Sequence, residues 1–201
     1  MLGGVAQSSI IVATALVLFA LDRLYTQRFD RMRTAGGTAT TWWHALVSVA
    51  LALVLVAQPL VWPRLGLHTE AAWGLAVQLA GLLAIAGSFA LLAWSRSHLG
   101  AFYAQRAEVQ PGHRVIHDGP YAYVRHPIFS AYMLQTVGLL LVVPSLTMLI
   151  VTIYALTLFT WTGKRDEGLL RLELPGYAEY MAHTPGFLPR LRRAEPANAR
   201  S

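Results

Sequence analysis

The sequence predicts an all-α integral membrane protein of about five transmembrane helices, ending in a C-terminal helical hairpin and an interfacial amphipathic helix. Three observations lead there. Of 201 residues, 55% are hydrophobic and only 13% charged, a balance too apolar for a soluble domain of this length. The ten acidic residues leave long charge-free tracts, as long as a helix needs to cross hydrocarbon. The basic residues cluster on alternate connections between those tracts, as loops retained in the cytoplasm do.

The first tract runs from Met1 to Leu21 and is apolar from about Val5. It lacks the basic leading region of a secretory signal peptide, so a retained span is expected. No charged residue occurs between Arg33 and Arg64, and Trp42 and Trp62 bracket that tract as an interfacial aromatic belt does. The third tract, Ala71 to Ser95, carries Trp73 and Trp94 near its limits. After Arg125, none of Asp, Glu, Lys or Arg appears from His126 through Gly163. One helix of that length would measure roughly 55 Å against a hydrocarbon core of about 30 Å, so the chain must turn back. Pro144-Ser145 is the expected corner, because proline lacks a backbone donor and disfavours helix in the residue before it. The arms are then Ile128 to Val143 and Leu146 to Trp161, both short for spans and compatible with tilt or a partly re-entrant hairpin. The chain divides into three parts: N-terminal spans over 1–97, a region with the chemistry-bearing residues over 98–193, and a disordered tail over 194–201.

Orientation follows from the basic residues. Arg23, Arg28, Arg31 and Arg33 follow the first span, and Arg96, Arg106, Arg114 and Arg125 follow the third. Seven more follow the fifth, from Lys164 to Arg200, whereas Arg64 alone follows the second. Five alternating spans therefore put 15 of the 16 on one side, with the N-terminus outside and the C-terminus in the cytoplasm. The 15 to 1 ratio of Arg to Lys associates with GC-rich bacterial genomes, so a bacterial cytoplasmic membrane is the expected location.

The basic residues flank spans and form no soluble basic face, which argues against nucleic acid and for membrane-lipid phosphates as partners. Cysteine is absent, which removes disulfides, thiolate metal sites and cysteine nucleophiles. No strand-GxGxxG-helix pattern for a dinucleotide occurs.

Two polar clusters carry the candidate chemistry. The first is GHRVIHDGPYAYVRHP, from Gly112 to Pro127, with three histidines, two arginines and two tyrosines. Such loops often only anchor at headgroups, but Gly119-Pro120 and His126-Pro127 fix turns that anchoring does not need. The second is KRDEGLLRLELPGYAEYMAHTPGFLP, from Lys164 to Pro189, a partly amphipathic pattern interrupted at Pro175-Gly176. Asp166 and Glu167 read either as dipole partners of a helix N-terminus or as functional acids. The hairpin would bring the end of the first cluster beside the start of the second at one membrane face.

These residues resemble a known family. Gly-Pro-Tyr-x-Tyr-Val-Arg-His-Pro, preceded by His-Arg-Val-Ile and followed by an apolar hairpin, an acidic pair and a Tyr-x-x-Tyr segment closing on Phe-Leu-Pro, is similar to the isoprenylcysteine carboxyl methyltransferase and phospholipid methyltransferase superfamily. The resemblance spans roughly Leu99 to Pro189. It implies a membrane-integral methyltransferase using S-adenosylmethionine without a Rossmann domain. It also implies cofactor contacts at His113, Arg114, Val115, Ile116, Tyr121, His126, Pro127, Ile128, Phe129, Asp166 and Glu167. Phe129 stands where the family usually has tyrosine, and Asp166 where glutamate is commoner. Thr162 occupies the place at which prenylcysteine enzymes carry an arginine for the substrate carboxylate.

Attack on a sulfonium methyl is an in-line displacement in which charge disappears, so alignment contributes most of the catalysis. His126 and Glu167 are the candidate bases for an amine or thiol acceptor, with Arg125 beside them; a carboxylate acceptor needs no base. The expected partner is a lipophilic small molecule or lipid that enters from the bilayer. Three rivals remain: an NADPH-dependent reductase of the sterol-reductase type, a non-catalytic membrane protein, and a di-iron oxygenase using His113-x-x-x-His117. Seven histidines with no His-His pair argue against the last, and no metal is expected.

Overall fold

The protein is seen in a computed structural model that describes residues 2–29, 42–61, 73–100 and 115–189, with side chains over 2–25, 52–61, 74–100 and 115–189. Helices are the regular elements of these residues: α1 (Gly4–Phe29), α2 (Trp42–Val61), α3 (Trp73–Leu99), α4 (Pro127–Val142), α5 (Leu146–Glu173) and α6 (Tyr177–His183), with a 3-10 turn at Gly119–Ala122 before α4. Three helical stretches are long and apolar enough to cross a membrane: Gly4–Tyr25, Gly74–Leu99 and Leu146–Glu173. Ala52–Val61 and Pro127–Val142 are shorter apolar helices.

The corner after α4 forms where proline places it. Pro127 opens α4 at a position where its missing N–H is no loss, and Pro144 follows the end of that helix. Ser145 then caps α5, its hydroxyl accepting from Met148 N at 3.1 Å. α5 runs back along α4 in antiparallel fashion. Thr152 Oγ1 reaches the Thr136 carbonyl at 3.3 Å near the corner, Phe129 stacks on Phe159 further along, and His126 meets Glu167 at the far end.

Helix lengths differ from the sequence expectation in one way that matters. The arm expected to stop at Trp161 continues as one helix to Glu173. Gly163 alone does not break it, and the first strong breaker is Pro175, just beyond Leu174. A helix of this length measures about 42 Å, so its last turns extend past a core of about 30 Å. Asp166 and Glu167 therefore sit late in α5, and they do not serve as dipole partners of a helix N-terminus. The amphipathic segment is split between the end of α5 and the short α6.

α3 and α4 make the closest pairing, also antiparallel. A Cβ on Gly138 would stand 2.9 Å from the Gly81 carbonyl oxygen, so the two backbones touch where neither has a side chain. Close backbone approach through small residues is how helices associate where lipid removes the hydrophobic incentive. Buried Gln78 fastens the same end, accepting from Leu2 N at 2.8 Å and donating to the Val142 carbonyl at 2.9 Å. The start of α1, the start of α3 and the end of α4 thus share one end of the molecule. His126, the end of α5 and α6 share the other.

Replacing Gly138 by leucine should separate α3 from α4 and lower stability by about 1–3 kcal/mol. A fall in the thermal midpoint in detergent, absent when the lipid-facing Leu83 is changed to valine, is the expected result.

Candidate active site

The site forms at the end of the molecule where the α4 entry, the end of α5 and the segment after α6 converge. Its centre is one carboxylate oxygen. Glu167 Oε1 lies 2.8 Å from Arg125 Nε, 2.8 Å from Arg125 Nη2 and 2.8 Å from His126 Nε2. All three side chains are largely removed from solvent, so these contacts are stronger than the same pairs on an open surface. The second oxygen of Glu167 has no hydrogen-bond partner among the described residues, nor does the half-buried carboxylate of Asp166.

Arg125 does more than pair with Glu167. Its Nη1 donates to the Met181 carbonyl at 2.9 Å and to the Thr184 carbonyl at 2.5 Å, which places its planar fork between α5 and the end of α6. The backbone reinforces the join. Arg125 N donates to Pro185 O at 2.8 Å, His126 N to Gly186 O at 2.9 Å, and Ser130 Oγ to Phe187 O at 2.6 Å. Thr184–Phe187 is therefore a strap hydrogen-bonded across the α4 entry.

Phe187 shows why the strap follows this path. Its ring stacks on His126 at 5.1 Å between centroids, and a Cβ on Gly163 would fall 2.6 Å from it. Glycine at 163 makes the notch in α5 that receives the ring. His126 stacks on its other side against Phe129 at 5.7 Å, and the series continues through Phe159 to Tyr132. Tyr132 in turn accepts from the buried Arg96 at 3.0 Å, and Arg96 also reaches Asp22 on α1 at 3.3 Å. The N-terminal helix is thereby connected, side chain by side chain, to the Glu167 end.

The Gly-Pro turn is held from the strap side. Tyr180 donates its hydroxyl proton to the Tyr121 carbonyl at 2.6 Å. Burial pushes the Tyr180 phenol up to about 12, with the Arg125 charge opposing, so the hydroxyl remains a donor throughout the physiological range. Tyr177 is raised as well, by burial first and then by the negative charge of Glu167.

Residues 79–170 match the isoprenylcysteine carboxyl methyltransferase (ICMT) family. Comparison of the whole chain with curated proteins gives no match. The ICMT family is one of membrane methyltransferases, dependent in general on S-adenosylmethionine, and the apolar helices agree with an integral membrane protein. The ICMT match ends inside α5, so α6 and the strap complete the site from beyond it.

Of the residues singled out from the sequence, Tyr121, Arg125, His126, Pro127, Ile128, Phe129, Asp166 and Glu167 all fall on the turn, the α4 entry or the end of α5. Val115 and Ile116 lead into the turn half-buried, and no hydrogen bond among the described residues joins them to Glu167. His113 and Arg114 lie outside the described residues, as does the tail expected over 194–201. Among the described residues no group of three or more His, Asp or Glu side chains is arranged to hold a metal ion. Sequence reasoning missed Ser130, Phe159, Gly163 and the Arg96–Asp22 pair. Only the Phe-Leu-Pro ending pointed towards Phe187.

Arg125→Lys keeps the charge but cannot bridge Glu167, Met181 and Thr184 together. The strap should loosen by about 2 kcal/mol, from the loss of charge-assisted hydrogen bonds. Hydrogen exchange at 184–187 should accelerate correspondingly, and α3 amides should be unaffected.

Proposed function

We propose that the protein transfers a methyl group from S-adenosylmethionine to a lipophilic acceptor at the cytoplasmic face of a membrane. The observation that carries this reading is the Glu167 centre, where two polar segments about forty residues apart in sequence meet beside apolar helices. Two further points support it: the ICMT match and the chemistry of the groups left unpaired.

The residues present fit the cofactor. Asp166 and the second oxygen of Glu167 are acceptors without partners among the described residues, suited to hydroxyl groups or to a sulfonium cation. Phe129 and Tyr121 supply aromatic surface, Pro127 and Ile128 apolar wall, and Val115 and Ile116 backbone beside the turn. His113 and Arg114 complete the set that the family resemblance implies. When bound, S-adenosylmethionine would supply an electrophilic methyl carbon. The chain's own task is then to hold the acceptor in line with that carbon and to keep water from competing. Arg125 serves as a positioning residue here, because its donors hold Glu167 and the strap in place.

The membrane arrangement we propose has five crossings. α1, α2 and α3 alternate, α4 and α5 enter and return, and the Glu167 end faces the cytoplasm with the C-terminus. The N-terminus lies outside, and the membrane is bacterial. Fifteen basic residues on one side support this orientation. A lipophilic acceptor would approach from the bilayer between apolar helices, and the water-soluble donor from the cytoplasm.

Calorimetry on the purified full-length protein tests the reading. S-adenosylhomocysteine should bind in the micromolar range, NADPH should not, and Glu167→Gln should weaken binding at least tenfold. NADPH binding without S-adenosylhomocysteine binding would make the protein a reductase. Labelled S-adenosylmethionine should also transfer its methyl group into a lipid extract, and Glu167→Gln should reduce the yield by about 100-fold.

A further inference from the structure

We propose that Asp22 on α1 is a positioning residue for the cofactor site: it orients the Arg96 guanidinium, which acts through Tyr132 and Phe159 on the Phe129 ring. This role rests on the methyl-transfer reading above and extends its machinery to a helix that precedes the ICMT match at 79–170.

Arg96 points the wrong way for an interfacial cation. An arginine near the end of a membrane helix ordinarily lays its stem along apolar surface and keeps its charge in water. Arg96 stands in the last turn of α3, yet it is 2% exposed and is the bulkiest of the fully buried side chains among the described residues. A guanidinium keeps its charge wherever it is placed, so turning it inwards requires ionic and hydrogen-bonding partners. Two of these meet one nitrogen. Arg96 Nη2 donates to Asp22 Oδ1 at 3.3 Å and to the Tyr132 hydroxyl oxygen at 3.0 Å. The Tyr25 ring centre lies 5.8 Å from the guanidinium carbon, and the Tyr25 hydroxyl donates to the Ala93 carbonyl at 3.0 Å. α1, α3 and α4 thus converge on one cation.

Stability alone does not account for Asp22. Its side chain is 39% exposed, so solvent screens its attraction to Arg96. α1 is also fastened elsewhere, by Leu2 to Gln78 and by Ser8 to the Val56 carbonyl. What Asp22 decides is direction. The guanidinium is a rigid planar fork, so the acid that one nitrogen faces determines how that nitrogen meets Tyr132.

Tyr132 carries the direction to the site. Its ring lies 5.4 Å from Phe159, Phe159 lies 5.7 Å from Phe129, and Phe129 lies 5.7 Å from His126, each pair within 24° of parallel. Close-packed rings do not tilt independently, so a change at Tyr132 is passed along the series. Phe129 is part of the aromatic surface assigned above to S-adenosylmethionine. Without the Asp22 charge the guanidinium is drawn towards water, its bond to the Tyr132 hydroxyl lengthens, and Phe129 loses its setting.

The test uses full-length protein in lipid nanodiscs. Calorimetry reads S-adenosylhomocysteine affinity, and the fluorine resonance of 4-fluorophenylalanine placed at 129 reads the ring without any ligand. Asp22→Asn, which keeps shape and removes charge, should weaken binding by about fivefold, within the range that residues along such contiguous contacts produce. Tyr132→Phe, which removes only the hydroxyl, should do the same and carries the test if Asp22→Asn does not fold. Both should shift the fluorine resonance. In a Phe129→Leu background the ring they act through is gone, and either substitution should then change affinity by less than about twofold. A merely structural role would give the same loss in both backgrounds. Undiminished binding by the two variants, an unmoved resonance, or an equal loss in the Phe129→Leu background would each overturn the proposal and leave methyl transfer standing. A wild-type protein that binds no S-adenosylhomocysteine would remove both.

Discussion

The fold turns on one ionic contact, the grip of Arg125 and His126 on a single oxygen of Glu167. Those residues come from segments separated by the whole of α4 and most of α5. Bringing them together fixes how far α5 must extend beyond α4 before it ends. It also fixes where the chain after α6 must return, because the same guanidinium holds the Met181 and Thr184 carbonyls. At the edge of a membrane such a cluster is expensive to expose and to leave incomplete, since each unpaired charge would face apolar surroundings. The geometry is therefore nearly all-or-none, as the proposed in-line displacement would require.

Packing beneath the contact serves the same end. Gly163 admits Phe187 to the His126 ring, Phe129 also stacks on that ring, and Phe159 and Tyr132 carry the series on to Arg96. Ring on ring, the series restrains the imidazole without consuming its hydrogen-bonding capacity. At the opposite end of the molecule, Gln78 and the Gly81–Gly138 contact hold α3 against α4, so the α4 entry has a rigid base. Polar side chains inside this apolar bundle act as local fasteners, whereas the ion pairs among the described residues are concentrated at one end.

Much of this was legible from residue order. Charge-free length located the helices, Pro144-Ser145 located the return, and the two polar clusters contained nearly every residue that meets at Glu167. What escaped was the reach of α5. Nothing in Trp161-Thr162-Gly163-Lys164 distinguishes a span that stops from one that continues, because helix propensity there is weak in both directions and tertiary contacts decide. Gly163 as a ring notch was equally hidden, since a lone glycine in a helix usually signals only tolerance. Arg96 read as one more interfacial cation, and its burial with Asp22 and Tyr132 depends on long-range packing that no local pattern encodes. The strap was foreshadowed only by its Phe-Leu-Pro ending, without any hint that its carbonyls would receive Arg125.

The central claim is that the two polar segments are one cooperative unit, joined through Arg125 and Glu167. A double-mutant cycle measures that directly, using unfolding free energies of the wild type, Arg125→Ala, Glu167→Ala and the double variant in one detergent. The account requires a coupling of about 1–3 kcal/mol, as for residues sharing one hydrogen-bonded network. Single-variant effects that add to within about 0.5 kcal/mol, the behaviour of distant independent sites, would contradict it.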